Sequence, residues 1–335
     1  MEPLINTNPG AAAQVALSRP EFYNVTLKNL FLPATNRDQS VFVPLNDYVV
    51  TAIGMIHDDL PFNTALSADI LYTLSAGGLP APSAANNDHY ATADANNVDI
   101  SASLVRTTQT TVYGSAVAPA GLITTRASAS AFFINGTNRA MFRFTLINHL
   151  CRDMEQVQDT SRPTDQIRQD VATSPGGDSR VYLNTCIGCH SGMDPMARAF
   201  AYYNFDTTSN ITVYTPGSPQ PKYFINSSNN KYGFVTPDDT WSNRWRVGPN
   251  AALGFDATLP GTGAGAASLG QELAASDAFA ACQVQKAFKA VCLRAPSSQA
   301  DLDEVNTIKA AFKANGYRMK LVFADAAVYC TVTAP

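Results

Sequence analysis

The chain has 335 residues, enough for one large or two ordinary domains, and 45% of them are hydrophobic, which predicts a folded globular protein. Only 15% are charged, against about 25% in an average soluble protein, and Asn, Thr, Ser and Gln supply much of the polarity instead. The net charge of −4 includes no basic tract, which argues against nucleic acid or an anionic membrane as a partner. No segment approaches the roughly 18 consecutive apolar residues of a membrane span.

The N-terminal part of the chain is predicted to be irregular at first and then partly helical. Four prolines punctuate residues 1–40, which are therefore expected to form an irregular arm. Apolar residues at helical spacing predict a helix over about 49–56, and a second short helix is expected from Asn63 to Tyr72. Residues 74–100 are rich in Ala, Gly, Pro and Asn, which indicates a loop, and 99–117 alternates enough to predict a strand.

The C-terminal part is predicted to be helical with a small β insertion. Residues 138–159 show a helical stripe, and about 207–250 are turn-rich with β-like runs at I-T-V-Y-T and K-Y-F-I-N. Four further helices are expected at about 268–275, 277–293, 301–315 and 317–329. Gly316 is expected to be the C-cap of the third of these helices. We therefore divide the chain into two parts. Residues 1–137 form an arm with a helical and loop region, and residues 138–335 form a helical domain with the β insertion. The alternative is that the whole chain is one continuous domain.

The motif that carries chemistry is C-I-G-C-H, in which Cys186 and Cys189 are followed directly by His190. Covalent haem attachment needs two thiols that reach the vinyl groups and a neighbouring imidazole that reaches iron, and C-x-x-C-H supplies all three. A zinc site would want two further close ligands, and a thioredoxin-like site would want a βαβ frame. We predict one covalent haem c, with thioether bonds at Cys186 and Cys189 and His190 as proximal iron ligand; a disulfide or zinc is the alternative.

The sixth position on the iron has several candidates in the sequence. His149 is the first choice and Met154 the second, because both lie on the apolar helix that precedes the motif. A buried imidazole also needs a partner for its nitrogens, which iron would provide. An open position is one alternative. The other candidates are His57, His89, Met55, Met141 and Met319, of which His89 is expected to be solvated. Met193 follows the motif so closely that we interpret it as packing.

The remaining four cysteines are Cys151, Cys282, Cys292 and Cys330, which can form two disulfides in an oxidising compartment. Cys282 and Cys292 are predicted to share one helix, where ten residues span about 15 Å. A disulfide needs Cα atoms within about 7 Å. Each of these two is therefore expected to pair with Cys151 or Cys330, and both such pairings stay open.

The residues around the motif resemble a known family. The run C-I-G-C-H-S-G-M-D-P-M-A-R-A-F-A-Y-Y-N-F-D, at 186–206, is similar to planctomycete-type cytochrome c modules, in which an Asp-Pro pair and then an aromatic-Asp pair follow the motif. The A-L-S-A-D-I-L-Y-T segment at 65–73 and the run F-K-A-N-G-Y-R-M-K near the C terminus extend the likeness patchily over about two thirds of the chain. The resemblance implies an exported mono-haem protein with a mainly α, helical cytochrome c-like domain.

The predicted function is that of a mono-haem c-type cytochrome that transfers electrons in the periplasm or outside the cell. The alternatives are a haem enzyme that activates peroxide or oxygen at an open iron site, and a structural subunit whose haems line up for conduction. The expected partner is a redox protein or a small electron donor or acceptor, and a homo-oligomer stays open. The start, M-E-P-L-I-N-T-N-P-G, lacks the features of a signal peptide, so we expect a processed or engineered terminus.

Overall fold

Helices account for most of the regular structure in the computed structural model, which describes residues 2–115 and 117–333. The predicted mainly α class is thus confirmed. The α-helices are Glu2–Thr7, Pro9–Leu17, Lys28–Phe31, Asp47–His57, Asp88–Ala95, Ile100–Ser103, Gln109–Tyr113, Arg126–Phe132, Arg139–Thr145, Ser179–Val181, Ile187–Ala197, Gly265–Ala274, Asp277–Cys292, Gln299–Ala314 and Met319–Thr333.

Shorter elements join these helices. Three π-helical turns are Phe22–Leu27, Leu146–Leu150 and Tyr182–Cys186. The strands form three separate antiparallel pairs. They are Leu71–Leu74 with Leu104–Thr107, Tyr203–Asp206 with Ile211–Tyr214, and Thr240–Ser242 with Thr262–Ala264.

Most of residues 2–35 are helical, so the prediction of an irregular arm is wrong. Two of the prolines that suggested it stand at helix starts, where the missing N–H group is not needed. Pro9 opens Pro9–Leu17, whose first turn is capped by the Asn8 side chain at 3.0 Å from the Ala11 nitrogen. Pro33 occupies the first turn of a 3₁₀ segment.

The helix Asp47–His57 is confirmed, and it is buried along almost its whole length. A helix that is apolar on all sides belongs in the core. The prediction of a helix from Asn63 to Tyr72 is wrong. This segment starts in the 3₁₀ turn Phe62–Thr64 and ends in the strand Leu71–Leu74. The Tyr72 ring lies directly over Gly54, where no side chain intervenes, and its backbone N–H donates to Thr51 at 3.1 Å.

Two other predictions for the first half of the chain hold only in part. The loop expected over 74–100 contains the helix Asp88–Ala95. Among the described residues of the strand expected over 99–117, only Leu104–Thr107 form a strand, with short helices on both sides; residue 116 lies outside the described residues. In both regions the periodic segments are about two turns or less, too short for a window of 11–18 residues to resolve.

The helix predicted over 138–159 is shorter than expected. Arg139–Thr145 continues as the π-helical turn Leu146–Leu150 and then stops at Cys151, which has a left-handed φ of 51°. Cys151 is bonded to Cys282, with their Cα atoms 5.2 Å apart. A left-handed residue ends a helix because the next N–H groups can no longer continue the hydrogen-bond ladder.

The predicted β insertion over about 207–250 is confirmed in part. The I-T-V-Y run forms the strand Ile211–Tyr214, paired with Tyr203–Asp206 in the register Tyr203 opposite Tyr214. The K-Y-F-I-N run is not a strand, because Pro221 opens a 3₁₀ turn over Pro221–Phe224.

All four C-terminal helices are confirmed, and one of the two disulfides joins two of them. Gly316, with a φ of 72°, follows the end of Gln299–Ala314 as expected. Cys282 and Cys292 share the helix Asp277–Cys292 and are not bonded to each other. Cys292 pairs with Cys330, with Cα atoms 5.6 Å apart, and Cys151 pairs with Cys282.

The main hydrophobic core draws residues from both predicted parts of the chain. It extends from Ala13 and Phe31 to Phe288 and Val322, and the helix Met319–Thr333 packs on Pro9–Leu17 as well as on Asp277–Cys292. The two ends of the described chain are therefore packed together. Within 2–115 and 117–333, no helix combines the length and the apolar character that crossing a bilayer requires.

Candidate functional site

The C-I-G-C-H motif lies where a helical run changes its pitch. The run starts at Ser179, capped by the Asp178 side chain, and passes through the π-helical turn Tyr182–Cys186. It then becomes the α-helix Ile187–Ala197, which we call the site helix. π-helical turns are rare in proteins, and those that do occur are often found at functional sites. The change of pitch therefore falls at the first cysteine of the motif.

The site helix is held in place by contacts along its buried side. The Asp159 backbone N–H donates to the Gly188 carbonyl at 2.9 Å, and the Ser191 hydroxyl donates to the Asp159 carbonyl at 3.1 Å. Gly192 lies against the indole of Trp245, so close that a Cβ there would come within 2.6 Å of Cε2. These contacts fix the rotation of the helix and hence the direction in which His190 leaves it.

Cys186 and Cys189 are the two cysteines that remain reduced among the described residues. They are three positions apart on a helix, a spacing that places side chains on neighbouring parts of one face. Cys186 is half-buried, and the Cys189 thiol lies 3.6 Å from the Met154 carbonyl oxygen. Burial, followed by the nearby charge of Glu155, raises the pKa of the Cys189 thiol, so this thiol stays protonated at neutral pH.

His190 is paired with a carboxylate one helical turn further on. Its Nδ1 lies 3.2 Å from Oδ1 of Asp194, whose side chain is fully buried, while the His190 side chain is 19% exposed. Nε2 of His190 makes no hydrogen bond to any of the described residues. One ring nitrogen is thus engaged inside the protein and the other is free to bind a ligand.

Asp194 itself is held by a network of buried charges. It accepts hydrogen bonds from Arg139 at 2.8 and 3.0 Å and from the Arg168 backbone N–H at 3.2 Å. Arg139 also donates to both oxygens of Asp170, at 2.6 and 2.8 Å. Burial alone would raise the pKa of Asp194, but Arg139 and Arg168, together with the hydrogen bond from His190, hold it well below its usual range. The carboxylate is therefore ionised beside the histidine.

Cys189 and His190 line an open cleft of about 550 Å³. This volume lies within the range of about 300–1,000 Å³ that is typical of small-molecule and cofactor sites. Phe144, Met154 and Met193 supply apolar wall to the cleft. Met193 therefore faces the cleft as well as the interior, although we interpreted it only as packing.

The rest of the cleft wall is mostly cationic. Arg37, Arg139 and Arg143 contribute to it, with Glu155 as the acidic residue. Arg143 is neutralised by Asp153 through two hydrogen bonds of 2.6 Å, whereas Arg37 donates only to backbone carbonyls and has no carboxylate partner among the described residues. An apolar wall beside an unneutralised guanidinium suits a flat apolar ligand that carries anionic groups.

Of the two predicted sixth ligands, the structure brings Met154 to the cleft and places His149 elsewhere. His149 is 4% exposed, its Nε2 lies 3.0 Å from the Tyr48 hydroxyl, and its ring stacks on Phe279. Burial, reinforced by the charge of Lys286, holds the pKa of His149 well below its usual value, so the ring is neutral. His149 is thus a core residue in the described structure, and its partner is a tyrosine.

The other two histidines also lie away from the cleft in the part of the chain that is described. His89 is buried, with Nε2 accepting from the Leu74 N–H at 3.0 Å and Nδ1 2.7 Å from the Pro80 carbonyl oxygen. The expectation that His89 is solvated is therefore wrong. His57 ends its helix at the surface, where Nδ1 lies 2.8 Å from an Asp58 oxygen.

The sequence interpretation missed the charged residues around the motif. Asp194 had a usable signal, because a carboxylate four positions after a histidine lies on the same helix face. Arg139 and Asp170 gave none, since they meet Asp194 or each other only through contacts between segments 31 and 55 residues apart in sequence.

Comparison of the chain with family models, with curated proteins and with solved structures found no match. Within residues 2–115 and 117–333, no group of three or more His, Cys, Asp and Glu side chains is arranged to hold a bare metal ion.

Proposed function

We propose that this chain is a mono-haem c-type cytochrome that transfers electrons outside the cytoplasm. The observation that carries the proposal is that Cys189 and His190, on the fixed site helix, line an open cleft, while Cys186 lies three positions before Cys189 at the end of the π-helical turn that leads into this helix. Both thiols are reduced while the other four cysteines are joined in disulfides. A site that keeps two thiols apart from the disulfide framework has the donors that haem c requires.

The residues present fit this cofactor. Cys186 and Cys189 would hold haem c through thioether bonds, and Nε2 of His190 would ligate its iron. The cofactor, when bound, supplies one reversible electron at the iron. The apolar wall of the cleft would exclude water from the ring, and Arg37 would offer a positive charge to its acidic groups. On this basis we propose that the mainly helical fold serves as a cytochrome c-like haem domain.

Location and partner follow from the same chemistry. Two disulfides support folding in an oxidising compartment such as the periplasm or the cell exterior. The partner that we propose is a redox protein, or a small electron donor or acceptor, that would approach the cofactor through the open side of the cleft.

The sixth ligand that we now propose is Met154 in place of His149. Met154 lines the cleft, and its backbone carbonyl oxygen lies 3.6 Å from the Cys189 thiol, so its backbone is next to the motif. A thioether ligand opposite a histidine raises the potential of a c-type haem. We therefore expect a higher potential than the imidazole of His149 would have given.

A haem enzyme that activates peroxide or oxygen is the second candidate. The openness of the cleft beside His190 favours it, since a small substrate could reach the iron if no side chain occupied the sixth position. The two candidates differ in the coordination that they require, and coordination can be measured.

Absorption spectra of the ferric and ferrous protein, with and without carbon monoxide, test the proposal. We expect a six-coordinate, low-spin wild type that binds carbon monoxide slowly. Met154→Ala should become high-spin and bind it quickly. Met193→Ala, which removes the other methionine of the cleft, is the matched control and should keep the wild-type spectrum. A high-spin wild type would favour the enzyme candidate, and an unchanged Met154→Ala would remove Met154 as the ligand.

A further inference from the structure

The carboxylate of Asp194 is the feature of the site that haem attachment alone does not require. It is fully buried, it sits on the same helix as His190, and it faces the ring nitrogen that would not bind the iron. Burying a carboxylate is unfavourable unless its charge is compensated. Here the chain compensates it with Arg139 and the Arg168 backbone N–H, both brought from other segments.

The geometry restricts where the ring proton of His190 can be. An ionised carboxylate can only accept hydrogen bonds, so the ring must donate from Nδ1 to Asp194. In the neutral ring, Nε2 then carries the free lone pair. Histidine ligands of metals are commonly oriented by such a second hydrogen bond, which fixes the tautomer and makes the ring a more basic ligand.

We propose that Asp194 is a positioning residue for His190: its carboxylate keeps the ring proton on Nδ1, presents Nε2 to the cleft, and favours the ferric over the ferrous iron. This inference deepens the proposed function and rests on it for the effect on the iron. The effect on the tautomer depends only on the contact between the two side chains.

The negative charge of Asp194 is part of a network that also includes Arg139 and Asp170. Arg139 lies between Asp194 and Asp170 and donates two hydrogen bonds to each of them. Asp170 contacts the same guanidinium but does not contact His190. It therefore offers a matched control: neutralising Asp170 removes one negative charge from the network and leaves the hydrogen bond to the ring in place.

The first test compares the redox equilibrium of Asp194→Asn and Asp170→Asn with that of the wild-type holoprotein. At a fixed applied potential near the wild-type midpoint, Asp194→Asn should raise the ferrous-to-ferric ratio at least tenfold, which is 59 mV for one electron. Asp170→Asn should raise it less than threefold. Equal shifts in the two variants would mean that Asp194 acts only as a distant charge, and the proposal would fail.

The second test needs no variant, which keeps the proposal open to refutation even if Asp194→Asn does not fold. Nitrogen-15 NMR of the purified wild-type protein should find the ring proton of His190 on Nδ1, exchanging slowly with water. Since iron bound at Nε2 would by itself leave the proton on Nδ1, the exchange rate is the deciding observation: an Nδ1 proton that exchanges as fast as that of an exposed histidine would overturn the inference. If the protein carries no covalent haem, the proposed function fails, and the same NMR measurement still decides the role of Asp194.

Discussion

Replacing Gly192 by alanine tests the packing that holds the site helix. A methyl group at this position would lie 2.6 Å from Cε2 and 2.8 Å from Cδ1 of Trp245, a ring that is fully buried and packs on Phe142 at 5.8 Å. The contact with Nε1 would be closer still, and ordinary contacts between heavy atoms are about 3.5–4.0 Å, so the indole must withdraw by about 1.5 Å into filled space. Overpacking of this kind costs about 1–3 kcal/mol.

The helix itself partly offsets that cost. Alanine in a helix interior is about 1 kcal/mol better than glycine. Taking the upper end of the overpacking range for a fully buried ring, Gly192→Ala should lower the free energy of unfolding by about 2 kcal/mol. Gly188→Ala, on the same helix, is the matched control: a Cβ there meets nothing closer than 3.4 Å, so this variant should gain up to about 1 kcal/mol.

Urea titration followed by circular dichroism measures both variants on one scale. The two midpoints should move in opposite directions while the slopes stay equal, because neither change alters the surface exposed on unfolding. If Gly192→Ala were as stable as Gly188→Ala, Trp245 would not be packed on the site helix as described, and the argument for a fixed His190 direction would fail with it.

Two further predictions concern stability. Removing the Cys151–Cys282 bridge with paired alanines should lower the free energy of unfolding by about 5 kcal/mol, and removing Cys292–Cys330 by about 4 kcal/mol, since the bonded residues are 131 and 38 positions apart. Urea titration checks this, and a larger loss for the shorter loop would contradict it. Burial lowers the pKa of Lys222 from 10.5 to about 7, so the unfolded chain binds more protons between these values and stability should rise with pH there. From pH 7 to 9 the urea midpoint should rise more steeply in wild type than in Lys222→Met; parallel profiles would show that this lysine is not buried.

The sequence predicts the long, capped helices and fails where a short segment depends on its neighbours. Asp47–His57 and the four C-terminal helices have sustained apolar spacing, and Ser276 and Ser298 cap two of them. By contrast, Leu71–Leu74 is a strand because it pairs with Leu104–Thr107 and lays Tyr72 on a glycine, and neither contact is visible in local periodicity.

The candidate site divides in the same way. The thiols and the histidine were predictable because adjacent positions on one helix bring them together. The exclusion of a Cys282–Cys292 bond also followed from helix geometry alone. The burial of His149 against Tyr48 was not predictable, since an apolar stripe says that a residue is buried but not which cavity or partner it meets.

The central claim, covalent haem at the motif, is tested most directly by denaturing the protein. Protein purified from a haem-maturing host should keep one haem per chain on a denaturing gel, and Cys186→Ala with Cys189→Ala should lose it. Cys292→Ala with Cys330→Ala is the matched control and should keep it, because it also removes two thiols but from the disulfide framework. Haem that is released by acid-acetone from the wild type, or retained by the Cys186 and Cys189 double variant, would contradict the account.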